Sequence, residues 1–363
     1  MFWFLSSNVT EARDTTAFKI QIAFLLDASS SMDGLIHQAQ GQIWGLSESL
    51  QQVHKRNRTV EVEYAVISYG NYYENPLDFA ILHSGFSSQI DSLAEALLEI
   101  ETYGGEECCG AVIQYALDVL KWSDQKEDLK IIFIAGNESF DQCHVAYQQS
   151  IENAKGKDVV VNTLFCGAPG LPDYTIWHEA SVLSKGESLT IEMDSIIKYS
   201  ETFWDDKIIG LNNRLNETLV PQKTTGDTSF KKMLRLDEMT LWLGKYVMCK
   251  RIAQKANRSM NEPAWDLVNQ YQSDPSIVER SDSTYWPENL WRMTSAQRII
   301  FLQKKMAQRR TYAESIAIYL AKADEQRVIV HGAVAMEQNF DKAVLTCIQQ
   351  QGKRENFLFP EEK

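Results

Sequence analysis

Long hydrophobic runs are missing from this 363-residue chain: no apolar stretch approaches the roughly 20 residues that a membrane-spanning helix needs. Short catalytic signatures are missing too. There is no G-x-S-x-G elbow, no G-x-x-x-x-G-K-S/T loop, no G-x-G-x-x-G and no H-E-x-x-H, so elbow hydrolases, P-loop NTPases, dinucleotide enzymes and zinc peptidases have no foothold here. The six histidines (His37, His54, His83, His144, His178 and His331) are scattered, and none has an acid partner nearby in sequence, so no general base is evident. None of the six cysteines (Cys108, Cys109, Cys143, Cys166, Cys249 and Cys347) shows C-x-x-C spacing, which argues against zinc and thioredoxin-like chemistry. The N-terminal MFWFLSSN starts apolar but has neither a basic n-region nor a full h-region, and reads as a trimmed signal remnant or an arm.

Positive charge is scarce in the first part of the chain. Residues 1–215 carry 14 basic and 31 acidic side chains, against 22 and 18 in residues 216–363, for a net charge of −13 overall. An acidic surface repels nucleic acid and attracts cations, so no nucleic-acid partner is expected. The basic group Arg298, Lys304, Lys305, Arg309 and Arg310 reads as a solvated helix face. The 44% hydrophobic and 23% charged fractions are those of a soluble globular protein long enough for two domains.

What is present is organised around FLLDASSSMDG, residues 24–34. Residues 19–26 (KIQIAFLL) are almost continuously apolar and too short for an amphipathic helix, which suits a strand covered on both faces. Leu35, Ile36, Ala39, Ile43, Leu46 and Leu50 then recur at helical spacing. A strand, a polar loop and a helix in that order place Asp27, Ser29 and Ser31 at the carboxyl edge of a sheet, where open α/β sheets bind ligands. One carboxylate and two hydroxyls are hard donors suited to Mg²⁺, with Ca²⁺ or Mn²⁺ as alternatives. A helix N-cap is the competing role for the same residues.

The pattern then repeats. Residues 60–68 alternate like a strand with one exposed face, and 79–82 form a short strand; 90–100 and 111–120 are helical. Residues 129–135 (LKIIFIA) form a buried strand ending in Gly136-Asn137-Glu138, and 159–165 another ending in Cys166-Gly167, with helices over 145–154 and 173–183. A last strand over 188–193 and a long helix over 194–219 follow. Alternating strands and helices predict an α/β, doubly wound, mainly parallel sheet. The composition shift at 221–227 marks a linker between a first domain, 18–220, and a helical C-terminal region, 221–363, with helices over 230–257, 294–323 and 341–350. Trp265, Trp286 and Trp291 in that region read as packing residues.

DASSS after the first strand, with GGEECCG later, resembles the von Willebrand factor A domain and its metal-ion-dependent adhesion site, over about residues 18–215. GGEECCGAVIQ, FIAGNESF and WDDKIIGLNNRLNETLVP, followed by AWDLV, look more specifically like bacterial proteins that pair this domain with a helical C-terminal part. The resemblance implies a cation held by the D-x-S-x-S loop, a Thr of a second loop and an Asp of a third. Asp27, Ser29 and Ser31 match in full. At the second loop the aligned residue is Glu107, with Thr102 and Glu106 as substitutes, and at the third it is Asn137, with Glu138 beside it. Glu107 adds a negative charge where Asn137 removes one, so the ligand charge is conserved. Cys109 and Cys166 fall at the same sheet edge, where either a disulfide in an oxidising compartment or two buried thiols is expected. Relatives of this type are often exported, which favours the cell envelope over the cytoplasm. The implied function is non-enzymatic: the cation bridges to an Asp or Glu of a partner protein. The alternatives are a scaffold whose helical region binds the partner, and a metal-dependent hydrolase.

Overall fold

The computed structural model describes residues 17–70, 80–105, 107–191, 201–223, 226–258, 265–282, 284–331 and 340–360. Strand β1 (Lys19–Asp27) runs through a single 3-10 turn into α1 (Asp33–Leu50). A small hairpin, β2 (His54–Lys55) and β3 (Arg58–Thr59), precedes β4 (Glu61–Tyr69), β5 (Ala80–Ser87), α2 (Ile90–Leu98) and α3 (Cys109–Val119). Then come β6 (Leu129–Gly136), α4 (Tyr147–Gly156), β7 (Val159–Phe165), α5 (Pro172–Ser184) and β8 (Ser188–Thr190).

The main sheet has the order β5-β4-β1-β6-β7-β8, with β4 and β5 antiparallel and every other pair parallel. The doubly wound, mainly parallel architecture expected from the sequence is therefore what forms. Connections leave β1 toward β4 on one side and reach β6 on the other, so the switch point lies between the carboxyl ends of β1 and β6. Alternate residues of β1 feed two cores. Ile22, Phe24 and Leu26 pack with α1 and α2, whereas Ala23 and Leu25 pack with α3, α4 and α5. Burial on both faces is why β1 reads as continuous hydrophobic sequence. In β4 the one exposed face expected from alternation is confined to Glu61–Glu63, and from Tyr64 onward both faces are covered.

Helix α6 (Phe203–Asn216) ends the first part of the chain, and the C-terminal region is helical, as expected: α7 (Gly226–Trp242), α8 (Lys245–Arg258), α9 (Leu267–Ser273), α10 (Ile277–Arg280), α11 (Glu288–Trp291), α12 (Ser295–His331) and α13 (Phe340–Arg354). The single helix expected over 230–257 is two, because Gly244 adopts φ +118°, a conformation that ends α7 and that only glycine takes readily. The strand and helix expected over 188–193 and 194–219 lie partly outside the described residues. Trp286 is fully buried, as expected of a packing residue, and Trp291 is partly exposed. Arg309 departs from the expected solvated face: it is 2% exposed and pairs with buried Asp266 at 2.8 Å. Lys304 and Arg310 are exposed, as expected.

The last helix returns to the sheet. Phe340, Val344, Cys347 and Ile348 of α13 join the core of β1 and α1, with the Phe340 ring 5.8 Å from that of Phe24. Gln351 of α13 donates to the buried Asn162 amide oxygen of β7 at 2.6 Å, and Leu358 bridges His54. Among the described residues no helix is long and apolar enough to cross a membrane.

Candidate metal centre

Asp27 is the last residue of β1 and is fully buried. Its Oδ1 accepts the Ser29 amide at 2.7 Å, which turns the chain tightly and swings the serines back over the strand end. Neighbouring loops are fastened to this turn. Ala28 donates to the Tyr69 carbonyl at 2.8 Å, and Tyr103 of the second loop donates to the Ala28 carbonyl at 2.8 Å. Gly70 closes the space beside the carboxylate: it adopts φ +79°, and a Cβ there would lie 2.8 Å from Asp27 Oδ1. No side chain larger than hydrogen fits that position without displacing the acid.

The expected donors form a funnel. Asp27 and Glu107 make its floor, each 0% exposed, with Ser29 above them at 5%. Ser31 and Asn137 form the mouth, where solvent reaches. The Ser29 and Ser31 hydroxyls are 3.2 Å apart, and the Asn137 amide donates to Ser31 Oγ at 3.2 Å. Neither serine caps a helix through its side chain, so the competing capping role is not the one these residues take. Glu107 lies just ahead of α3 and outside its first turn.

The floor is electrostatically incomplete. Asp27 Oδ2 and both Glu107 carboxylate oxygens are buried, and with both acids ionised no donor among the described residues pairs them; a proton shared between the two carboxyls is what joins them in the absence of a cation. Burial pushes the Asp27 carboxyl up to about 6. Glu107 is pushed up to about 9, by burial first and by the charge of Asp27 second. Two acids facing each other in a low dielectric resist ionisation unless a cation sits between them. Among the described residues no three His, Cys, Asp or Glu side chains converge, so the charged donors here are two carboxylates and the others are hydroxyl and amide oxygens. That set fits a hard divalent cation and lacks the nitrogen and sulfur donors of a typical zinc site.

The substitutes fall away. Thr102 donates its hydroxyl to Asp33, away from the floor. Glu106 lies outside the described residues. Glu138 is exposed and accepts from Gln142 at 2.7 Å. Of the two outcomes expected for Cys109 and Cys166, the buried thiols are what forms and the disulfide is not: both are free, and they belong to the two cores on opposite faces of the sheet. Cys108 and Cys143 are bonded instead, with Cα atoms 5.5 Å apart. The one-residue shift matters because Cys109 points inward under Tyr69, whereas Cys108 faces the third loop. Nothing in the cysteine spacing singles out this pairing; GGEECCG and the lone Cys143 of the third loop are its only visible signals in the sequence.

No protein-family model matches the sequence, and no curated protein is similar to it. Solved structures similar to this chain include von Willebrand factor type A domains. Proximal thread matrix protein 1 from the mussel byssus, with a zinc-occupied MIDAS motif, is 16% identical over 50% of this chain and 44% of its own, with a TM-score of 0.39. The type A domain from Catenulispora acidiphila is 14% identical over 49% of this chain and 39% of its own, at 0.36. The vWF domain of the type V pili tip protein Mfa5 from Porphyromonas gingivalis is 10% identical over 50% of this chain and 92% of its own, at 0.37. The chain thus spans less than half the length of the first two.

Proposed function

We propose that Asp27, Ser29, Ser31, Glu107 and Asn137 hold a divalent cation, Mg²⁺ before Ca²⁺ or Mn²⁺, and that the protein binds a partner protein through it. The observation that carries this reading is the buried floor: two carboxylates with three unpartnered oxygens, a costly arrangement without a positive charge between them. Asp27 and Glu107 supply the neutralising charge from below. Ser29, Ser31 and the Asn137 amide oxygen supply neutral donors above them. When bound, the cation presents a positive centre at the solvent-open mouth, where an Asp or Glu of the partner can complete the shell.

The role is binding and not catalysis. Tyr69 and Cys109 lie 3.7 Å apart, and burial pushes both well above their ordinary ranges, so neither serves as a ready nucleophile or base. The binding unit is residues 18–220, completed by α13 across the sheet face. A second reading places the interaction surface on residues 221–363, favoured by Trp242, which is 90% exposed at the end of α7.

The test is capture of partners from native lysate with and without EDTA, beside titration of Mg²⁺ into wild type and Asp27→Ala. Capture lost in EDTA and restored by Mg²⁺, with no Mg²⁺ uptake by Asp27→Ala, is the expected result. Equal capture by Asp27→Ala and wild type overturns the bridging role.

A further inference from the structure

We infer that the Cys108–Cys143 disulfide is a positioning device for the metal centre, holding Glu107 over Asp27, so that cation affinity depends on whether this pair is oxidised. The inference rests on the reading of the funnel as a cation site.

The geometry is that of a two-part staple. Cys108 directly follows Glu107 in the second loop, and Cys143 lies six residues after Asn137 in the third, across a sequence separation of 35. Beside the disulfide, the Glu107 amide donates to Gln142 Oε1 at 3.1 Å, and Gln142 Nε2 donates to Glu138 at 2.7 Å. One covalent and one hydrogen-bonded tie therefore join the residue carrying the floor carboxylate to the loop carrying the mouth amide. The ties would matter most when a cation binds and both acids lose their protons, because two carboxylate charges side by side on a buried floor repel each other. Groups that orient a metal ligand typically change affinity 10- to 100-fold when removed.

The disulfide contributes little packing. Cys143 is exposed and Cys108 is 7% exposed, whereas the four free cysteines are all buried in cores. Cys143 also takes φ +71°, a left-handed conformation unfavourable for a side-chain-bearing residue. Its sulfur is open to a reductant without unfolding. A small dithiol attacks it as thiolate; the S–S bond breaks, two electrons and two protons pass to Cys108 and Cys143, and the dithiol leaves as its cyclic disulfide.

The experiment measures Mn²⁺ affinity by calorimetry on the full chain in four forms: oxidised wild type, wild type reduced with dithiothreitol that is then removed without oxygen, Cys108→Ala with Cys143→Ala, and Gln142→Ala. Circular dichroism establishes that each is folded at the assay temperature. A role in global stability alone leaves the affinity of the folded protein unchanged. The expected result is about 10-fold weaker binding in the reduced and double-alanine forms, and roughly 3-fold weaker in Gln142→Ala, which keeps the disulfide and loses only the hydrogen-bonded tie. If the double variant unfolds, the reduced wild type decides, and unfolding of the reduced wild type makes the bond a global constraint and overturns the local role. Wild-type affinity in every folded variant overturns the staple while leaving the cation site standing. Absence of Mn²⁺ binding by oxidised wild type, or equal binding by Asp27→Ala, overturns the cation site and the staple together.

Discussion

Buried acids in different parts of this molecule are treated in opposite ways. Between α2, α7 and α8, Asp237 receives Arg251 at 2.7 Å and Lys255 at 2.5 Å, and Arg251 also reaches Asp91 at 3.0 Å. Burial alone would raise Asp237, but the charges of Lys255 and Arg251 draw its carboxyl far below the ordinary range. Asp266 is paired in the same manner with Arg309. At the sheet edge, Asp27 and Glu107 are as well buried, yet three of their oxygens have no partner among the described residues, and both carboxyls are pushed up. The chain equips Asp237 and Asp266 with arginine and lysine and supplies no such partner to Asp27 and Glu107, which is the contrast on which the proposed cation site rests.

The sharpest way to break the comparison is at the paired acids. Arg251→Ala leaves Asp237 with one cation fewer in a buried setting and is expected to destabilise the fold by about 3–5 kcal/mol in urea unfolding. Asp27→Asn is expected to behave in the reverse sense, leaving the metal-free protein as stable as wild type or more so. A loss in Asp27→Asn comparable to that of Arg251→Ala would mean the sheet-edge acid is structural after all.

Added cation comes next in size. At 100 times its dissociation constant, Mg²⁺ should stabilise wild type by about 2.7 kcal/mol and leave Asp27→Ala unmoved, measured as a shift in the urea midpoint. Thermal scans with and without EDTA give an independent reading of the same difference.

The pH dependence should separate the two sites by sign. The folded Asp27 and Glu107 bind protons more tightly than the unfolded chain does, so the metal-free protein is most favoured when they are protonated. Stability is expected to fall as pH rises from about 4, through the folded Asp27 near 6 and onward toward 9. Asp27's share of that loss is about 3 kcal/mol, Glu107 adds to it as the pH climbs toward 9, and saturating Mg²⁺ should abolish it. Asp237, depressed, contributes in the other direction, and its share is lost only in strong acid. A metal-free stability that rises between pH 5 and 8 would contradict the sheet-edge assignment.

The smallest effect is expected at the mouth. Asn137→Asp adds a third carboxylate in a solvent-reached position and should lower metal-free stability by roughly 1 kcal/mol or less, while tightening Mg²⁺ binding through the added ligand charge. Calorimetry on the variant reads both.

Much of the architecture was legible because its signals are local. Residues 19–26 and 129–135 announce strands covered on both faces, since continuous apolar sequence of that length has few other uses. The polar residues that follow each strand fall at a carboxyl edge by direction of chain alone, which placed Asp27, Ser29, Ser31 and Asn137 together before any coordinates. The break at Gly244 was not legible, because a lone glycine in a helical pattern is often tolerated and only its φ reveals a turn.

By itself, then, the sequence determined the doubly wound sheet, the helical region after it and the loop on which the candidate site is built, because periodicity and strand direction are properties of short segments. Only the tertiary structure decided that α13 returns to cover β1, that Arg309 is buried against Asp266, and that Cys108 and not Cys109 is bonded. It alone also decided that Glu107 turns inward beside Asp27 with its oxygens unpartnered. Each of these depends on which way one residue faces after the chain has closed over more than 30 positions, and a side chain's direction in a loop follows no period that sequence can carry.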